Sequence, residues 1–208
     1  ILKDEMAEIV EKKSKFIANI FYVENVEEAE AKVKEVKRKY YDAKHNCIAY
    51  RVIENGRIVE KSSDDGEPSG TAGGPMLNIL QRNNLCNLVV IVTRYFGGIL
   101  LGTGGLVRAY SEATQKAIEK SIKVSKIEGI EIQVRVDYAK LDAFKYYCRN
   151  NEIDIVKIEY KEDIVLKIEM EKSRKNIFLK NIETKTLNIK EYQVIQEKYI
   201  TKTVEKNK

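Results

Sequence analysis

Nine of the 11 glycines in this 208-residue chain, and both of its prolines, fall between Ser62 and Ser111. A chain uses glycine where its backbone must turn through positive φ or approach another group closely. Such a concentration therefore commits the middle of the sequence to a built site. The first half of the stretch runs Asp64-Asp65-Gly66-Glu67-Pro68-Ser69-Gly70-Thr71-Ala72-Gly73-Gly74-Pro75. The second runs Arg94-Tyr95-Phe96-Gly97-Gly98-Ile99-Leu100-Leu101-Gly102-Thr103-Gly104-Gly105-Leu106-Val107-Arg108. No Asp or Glu lies between Pro68 and Ser111, whereas Arg82, Arg94 and Arg108 do. The acids stand just upstream, at Asp64, Asp65 and Glu67.

The elements around these glycines follow from residue spacing. Leu88-Val89-Val90-Ile91-Val92 is a continuous β-branched apolar run, which predicts a strand buried on both faces with Arg94 at its end. Leu106, Ala109, Tyr110, Ala113 and Ala117 recur at helical spacing, so a helix is expected from near Gly104 with Thr103 as N-cap. Pro75 suits the first position of a second helix, with Met76, Leu77, Ile79 and Leu80 as its apolar side. Each glycine loop thus opens a helix, and helix N-termini offer unpaired N–H groups and partial positive charge to an anion. The candidate phosphate- or ligand-binding set is Asp64, Asp65, Glu67, Ser69, Gly70, Thr71, Gly73, Arg94, Tyr95, Gly97, Gly98, Gly102, Gly104, Gly105 and Arg108, with His45 and Lys15 as accessories. The spacing fits neither the P-loop nor the dinucleotide fingerprint. The competing reading is that the glycines only make tight turns while the acids pair with Arg94 and Arg108.

These residues carry a resemblance. The runs Asp64–Gly73 and Arg94–Tyr110, with Lys12-Lys13-Ser14-Lys15-Phe16-Ile17 and Asp42-Ala43-Lys44-His45, resemble the signature of the YigZ/IMPACT family. The likeness spans nearly the whole chain. It implies two α+β domains: residues 1–126 as a ribosomal-protein S5 domain-2-like α/β sandwich carrying the glycine site, and 127–208 as a ferredoxin-like domain similar to one found in translation factors. It also implies a setting in translation, since eukaryotic relatives regulate initiation through an additional amino-terminal domain, whose contacts are not carried over to this sequence. At Asn46 the chain departs from the bacterial pattern of a second histidine, so no role needing a histidine pair is transferred.

The rest of the chain reads consistently with two domains. Lys15–Val23 has strand character, Asn25 with Glu28 forms a capping-box pattern, and Val26, Ala29, Val33, Val36 and Tyr40 make a helical stripe. His45–Ile53 and Arg57–Lys61 flank Asn55-Gly56, a strong type I′ hairpin signal. After Gly129, alternating Ile130, Ile132, Val134 and Val136 open a βαββαβ order, the split βαβ arrangement. That part lacks glycine loops, clustered acids and the aromatic RNA-stacking pattern. Residues 202–208 are expected to fray.

Net charge is +5 without a dense basic block, so composition permits nucleic acid as a partner without arguing for it. Cys47, Cys86 and Cys148 are odd in number and form no CxxC pair, which argues for reduced thiols and against a disulfide or zinc site. No apolar run approaches a membrane span. The sequence therefore points to a cytoplasmic protein without cofactor or metal, which binds RNA, the ribosome or a small phosphate-containing anion in regulating translation. A protein partner is a further candidate. The alternative is a hydrolase or other enzyme acting on a small phosphate-containing anion, with Ser69 or Thr71 as nucleophile.

Overall fold

The structure, a computed structural model, describes Ile1 and residues 3–203. Contacts divide the chain into Ile1–Lys123 and Val124–Lys208.

The first unit is one antiparallel sheet in the order β1-β2-β5-β3-β4, built from β1 (Glu5–Glu11), β2 (Ser14–Tyr22), β3 (His45–Glu54), β4 (Arg57–Ser63) and β5 (Leu88–Tyr95). Helix α1 (Val26–Lys39) packs Ala29, Val33 and Val36 against Ile48, Tyr50, Val52, Val89 and Ile91 on one face. On the opposite face, α2 (Gly73–Arg82) and α3 (Gly102–Lys120) bury Met76, Leu80, Leu106, Ala109, Tyr110 and Ala113 against Phe16, Ala18, Cys47, Ala49, Val90 and Val92. Helices on both faces explain why β5 is apolar without alternation. The Phe16 and Tyr110 rings meet edge to face at 5.1 Å. The hairpin signal is realised: Asn55 and Gly56 both adopt positive φ, as a type I′ turn requires. At α1, Asn25 accepts from the Glu28 N–H while the Glu28 carboxylate accepts from the Glu24 N–H.

Three expectations are revised. The sheet gains β1, which sequence periodicity did not reveal, joined to β2 by Lys12 and Lys13 at positive φ. Arg94 lies inside β5, opposite Phe16 on β2 and His45 on β3, because the strand continues to Tyr95. Helix α3 starts at Gly102, so Thr103 falls inside its first turn instead of capping it.

The second unit is a four-stranded sheet in the order β7-β8-β6-β9, from β6 (Val124–Val136), β7 (Asp154–Tyr160), β8 (Ile164–Glu171) and β9 (Glu191–Thr203). Helices α4 (Leu141–Asn150) and α5 (Lys175–Glu183) place Phe144, Cys148 and Phe178 over Ile130, Ile132, Val134, Leu166 and Ile168. This is the expected βαββαβ fold. Lys202 and Thr203 belong to β9, and the rest of the stretch expected to fray lies outside the described residues. No helix among the described residues is long and apolar enough to cross a membrane.

Candidate functional site

The loop from β4 to α2 runs beneath the end of the sheet, and its three acids take three different jobs. Asp64 accepts hydrogen bonds from the N–H groups of Gly70, Ala72 and Gly73 at 2.8–2.9 Å. It is thus the anion at the α2 N-terminus. Burial raises its carboxyl, but the three N–H groups outweigh that and hold it below the ordinary carboxylate value. The loop must pass close to allow this: a Cβ on Gly73 would stand 2.6 Å from the Ser63 backbone nitrogen. Asp65 turns the other way, accepting from Lys37 Nζ at 2.6 Å and the Asn46 N–H at 2.7 Å. Adjacent residues of an extended segment face opposite ways, and the two aspartates do not share a ligand.

Glu67 is buried and accepts from Arg94 Nη1 at 2.7 Å and from the Tyr110 hydroxyl at 2.8 Å. The Arg94 side chain is only 7% exposed. Its guanidinium also reaches Ser14 Oγ at 3.4 Å and lies 5.5 Å from the ring centres of Phe16 and Phe96. Burial, with Cys47 and Glu67 beside it, pushes the Tyr110 phenol far above its ordinary range. Burial likewise pushes the Cys47 thiol up to about 12, against a hydrogen bond with Tyr110. The thiol donates to the Asp64 carbonyl at 3.0 Å. The ion pairing envisaged between the acids and the arginines therefore exists for Glu67 with Arg94.

His45 Nδ1 lies 2.9 Å from the Asp65 carbonyl oxygen. A carbonyl can only accept, so Nδ1 carries the hydrogen and Nε2 of the neutral ring is an acceptor. His45 forms one wall of a cavity of about 340 Å³ with Asp42, Lys44, Arg94, Tyr95, Phe96 and Leu100. The Tyr95 hydroxyl donates to Asp42 at 2.7 Å, which pushes that phenol up to about 12.

The second glycine run leads from this cavity to α3. Gly97 meets the β1–β2 hairpin so closely that a Cβ would stand 2.0 Å from the Lys13 carbonyl carbon, and its N–H donates to Ser14 Oγ. Gly98 follows at positive φ, and Phe96, Ile99 and Leu100 are exposed. Gly102, Gly104 and Gly105 form the first turn of α3 with Thr103. No side chain caps this turn and no acid stands in it. Arg108 folds back over it, since its Nη1 lies 3.7 Å from where a Cβ on Gly104 would be. Among the described residues no ion pair or side-chain hydrogen bond to Arg108 occurs.

Two hydroxyls and a lysine of the candidate set stand apart. Ser69 is exposed, Thr71 is buried and donates to the Pro68 carbonyl at 2.6 Å, and Lys15 pairs with Glu8 across the β1–β2 hairpin. Among the described residues no three His, Cys, Asp or Glu side chains are placed to hold a metal ion. Lys37, Lys44 and Phe96 were not read from the sequence as site residues. Phe96 lay inside the motif itself, and Lys37 and Lys44 reach the site through the fold.

Comparison with known proteins agrees with this architecture. The Impact N-terminal domain matches residues 12–118, and the Domain of unknown function (DUF1949) matches 134–185. IMPACT family member YvyE of Bacillus subtilis (strain 168) is 37% identical over 171 residues, covering 82% of this chain and 78% of its own. IMPACT family member YigZ of Escherichia coli (strain K12) is 34% identical over 158 residues, covering 76% and 78%. A solved structure described as that of a hypothetical protein aligns at TM-score 0.58 with 28% identity, over 93% of this chain and 94% of its own. The chain that carries Glu67 on Arg94 and Asp64 on the α2 N-terminus belongs to the IMPACT family.

Proposed function

We propose that this protein binds RNA in the course of translation and holds a backbone phosphate at the amino end of α3. The open first turn of that helix carries the reading. Its N–H groups have no capping side chain, no acid stands beside them, and the exposed Arg108 guanidinium lies over them. Helix macrodipole and free N–H groups favour an anion there. A guanidinium adds a bidentate partner suited to phosphate. The α2 N-terminus, by contrast, already holds Asp64, and Arg94 already holds Glu67. Gly98, Gly102, Gly104, Gly105 and Arg108 therefore form the phosphate-facing part, while Asp64, Glu67, Gly70, Gly73 and Arg94 shape it from behind. Family likeness supports the setting, because eukaryotic relatives regulate translation initiation.

The test is fluorescence anisotropy of labelled ribosomal or transfer RNA titrated with the purified chain at several salt concentrations. The expected result is binding at low salt that weakens as salt rises, with a slope near 0.7–0.9 per phosphate neutralised. Absence of binding at low salt overturns the reading.

A further inference from the structure

The cavity next to this helix end has walls that phosphate binding does not use. We infer that it receives one unstacked nucleobase, presented by a single-stranded RNA whose phosphate sits at the α3 N-terminus. The inference rests on the RNA reading above and adds what the RNA inserts.

The cavity, about 340 Å³, falls within the few-hundred-Å³ range of small-ligand sites and has room for one base with part of its ribose. Its outer wall is aromatic. Phe96 is 57% exposed, an unusual position for a phenylalanine in a chain with two closed cores. The ring is nevertheless supported. Arg94 lies 5.5 Å from its centre, and Arg94 is itself fixed by Glu67 and by the Phe16 ring. An exposed aromatic ring held from beneath is a stacking platform with little left to order on binding. Leu100, 81% exposed, adds apolar surface on the same cavity.

The polar wall suits a base as well. His45 is oriented by the Asp65 carbonyl, which leaves Nε2 as an acceptor. An acceptor at that place takes an N–H from the exocyclic amine of adenine, cytosine or guanine. Lys44 supplies a cation at the rim that is exposed and, among the described residues, has no ion pair. Position links the cavity to the phosphate site, since Leu100 stands two residues before Gly102, the first residue of α3. A base in the cavity and its phosphate on the helix are thus parts of one nucleotide's contact. RNA readers commonly splay out an unstacked base onto an aromatic side chain in this manner.

The experiment compares a short single-stranded oligoribonucleotide with the same ribose-phosphate chain lacking its bases. Adenosine 5′-monophosphate is compared with ribose 5-phosphate alongside. The variants are Phe96→Ala, Phe96→Tyr and Arg108→Ala, each checked by thermal unfolding. The base-bearing oligomer should bind about 10- to 100-fold more tightly than the abasic one. Phe96→Ala should remove that difference and Phe96→Tyr restore it, while Arg108→Ala weakens both oligomers alike. If RNA binds but the abasic chain binds equally well, the base site is overturned and the phosphate reading stands. If neither oligomer binds yet adenosine 5′-monophosphate beats ribose 5-phosphate in a Phe96-dependent manner, the cavity serves a free nucleotide and the RNA reading falls. If no probe distinguishes base from no base, the inference is overturned.

Discussion

Replacing Glu67 should unfold the site from within. Glu67 and Arg94 are 3% and 7% exposed at their side chains and 2.7 Å apart, and the Tyr110 hydroxyl donates to the same carboxylate oxygen. In Glu67→Ala the guanidinium keeps Ser14 at 3.4 Å and two aromatic rings, but no counter-ion. Removing one partner of a buried pair costs about 3–5 kcal/mol. In a chain of this size each kcal/mol moves Tm by roughly 2–4 °C, so a fall of about 10 °C is expected. Glu67→Gln keeps an acceptor and loses only the charge, for about 1.5–3 kcal/mol. The double variant Glu67→Leu/Arg94→Met removes both charges and should recover much of the loss, since apolar replacements of buried pairs are often neutral. Urea unfolding followed by circular dichroism measures all three. A loss below about 1 kcal/mol in Glu67→Ala would refute the reasoning, because a buried uncompensated charge cannot be that cheap. So would an Arg94→Ala protein of full stability that fails only in RNA binding.

Asp64→Asn should cost about 2–3 kcal/mol, because charge-assisted bonds to the buried Ala72 and Gly73 N–H groups are weakened. Its folded pKa lies below the ordinary value, so this contribution is complete above about pH 4 and disappears as pH falls through the folded value. The stability gap between wild type and variant should close in acid, and a gap independent of pH would contradict the capping role. Gly97→Ala should destabilise by about 1–3 kcal/mol or more, since its Cβ would stand 2.0 Å from the Lys13 carbonyl carbon, whereas Gly104→Ala has open space and should be tolerated. Thermal unfolding of the pair decides whether close packing or turn geometry holds that glycine.

The elements that sequence made legible are those whose signal is local. Apolar runs at β5, helical spacing in α1 and α3, the Asn55-Gly56 turn and the alternation opening the second unit all read directly. Strand β1 did not, because only Ala7 and Ile9 turn inward and are buried. Its turn is built from Lys12 and Lys13 at positive φ, residues that carry no turn signal. The start of α3 was misplaced because Leu101 precedes it in helical conformation without a capping side chain. The candidate site was legible as a place, not as a division of labour. That Arg94 faces Glu67 while Arg108 faces no acid depends on strand register, which pairs Arg94 with Phe16 and His45 deep in the sheet. Charge segregation along the chain marked the arginines but could not show which of them the acids neutralise.

The most direct test of the phosphate site is the salt dependence of RNA affinity in Arg108→Ala beside wild type, with thermal unfolding of both. Arg108 is exposed and holds no ion pair among the described residues, so the account requires unchanged Tm, weaker binding and a salt slope lower by about one unit. An unchanged slope, or a variant that loses stability as Glu67→Ala does, would contradict it.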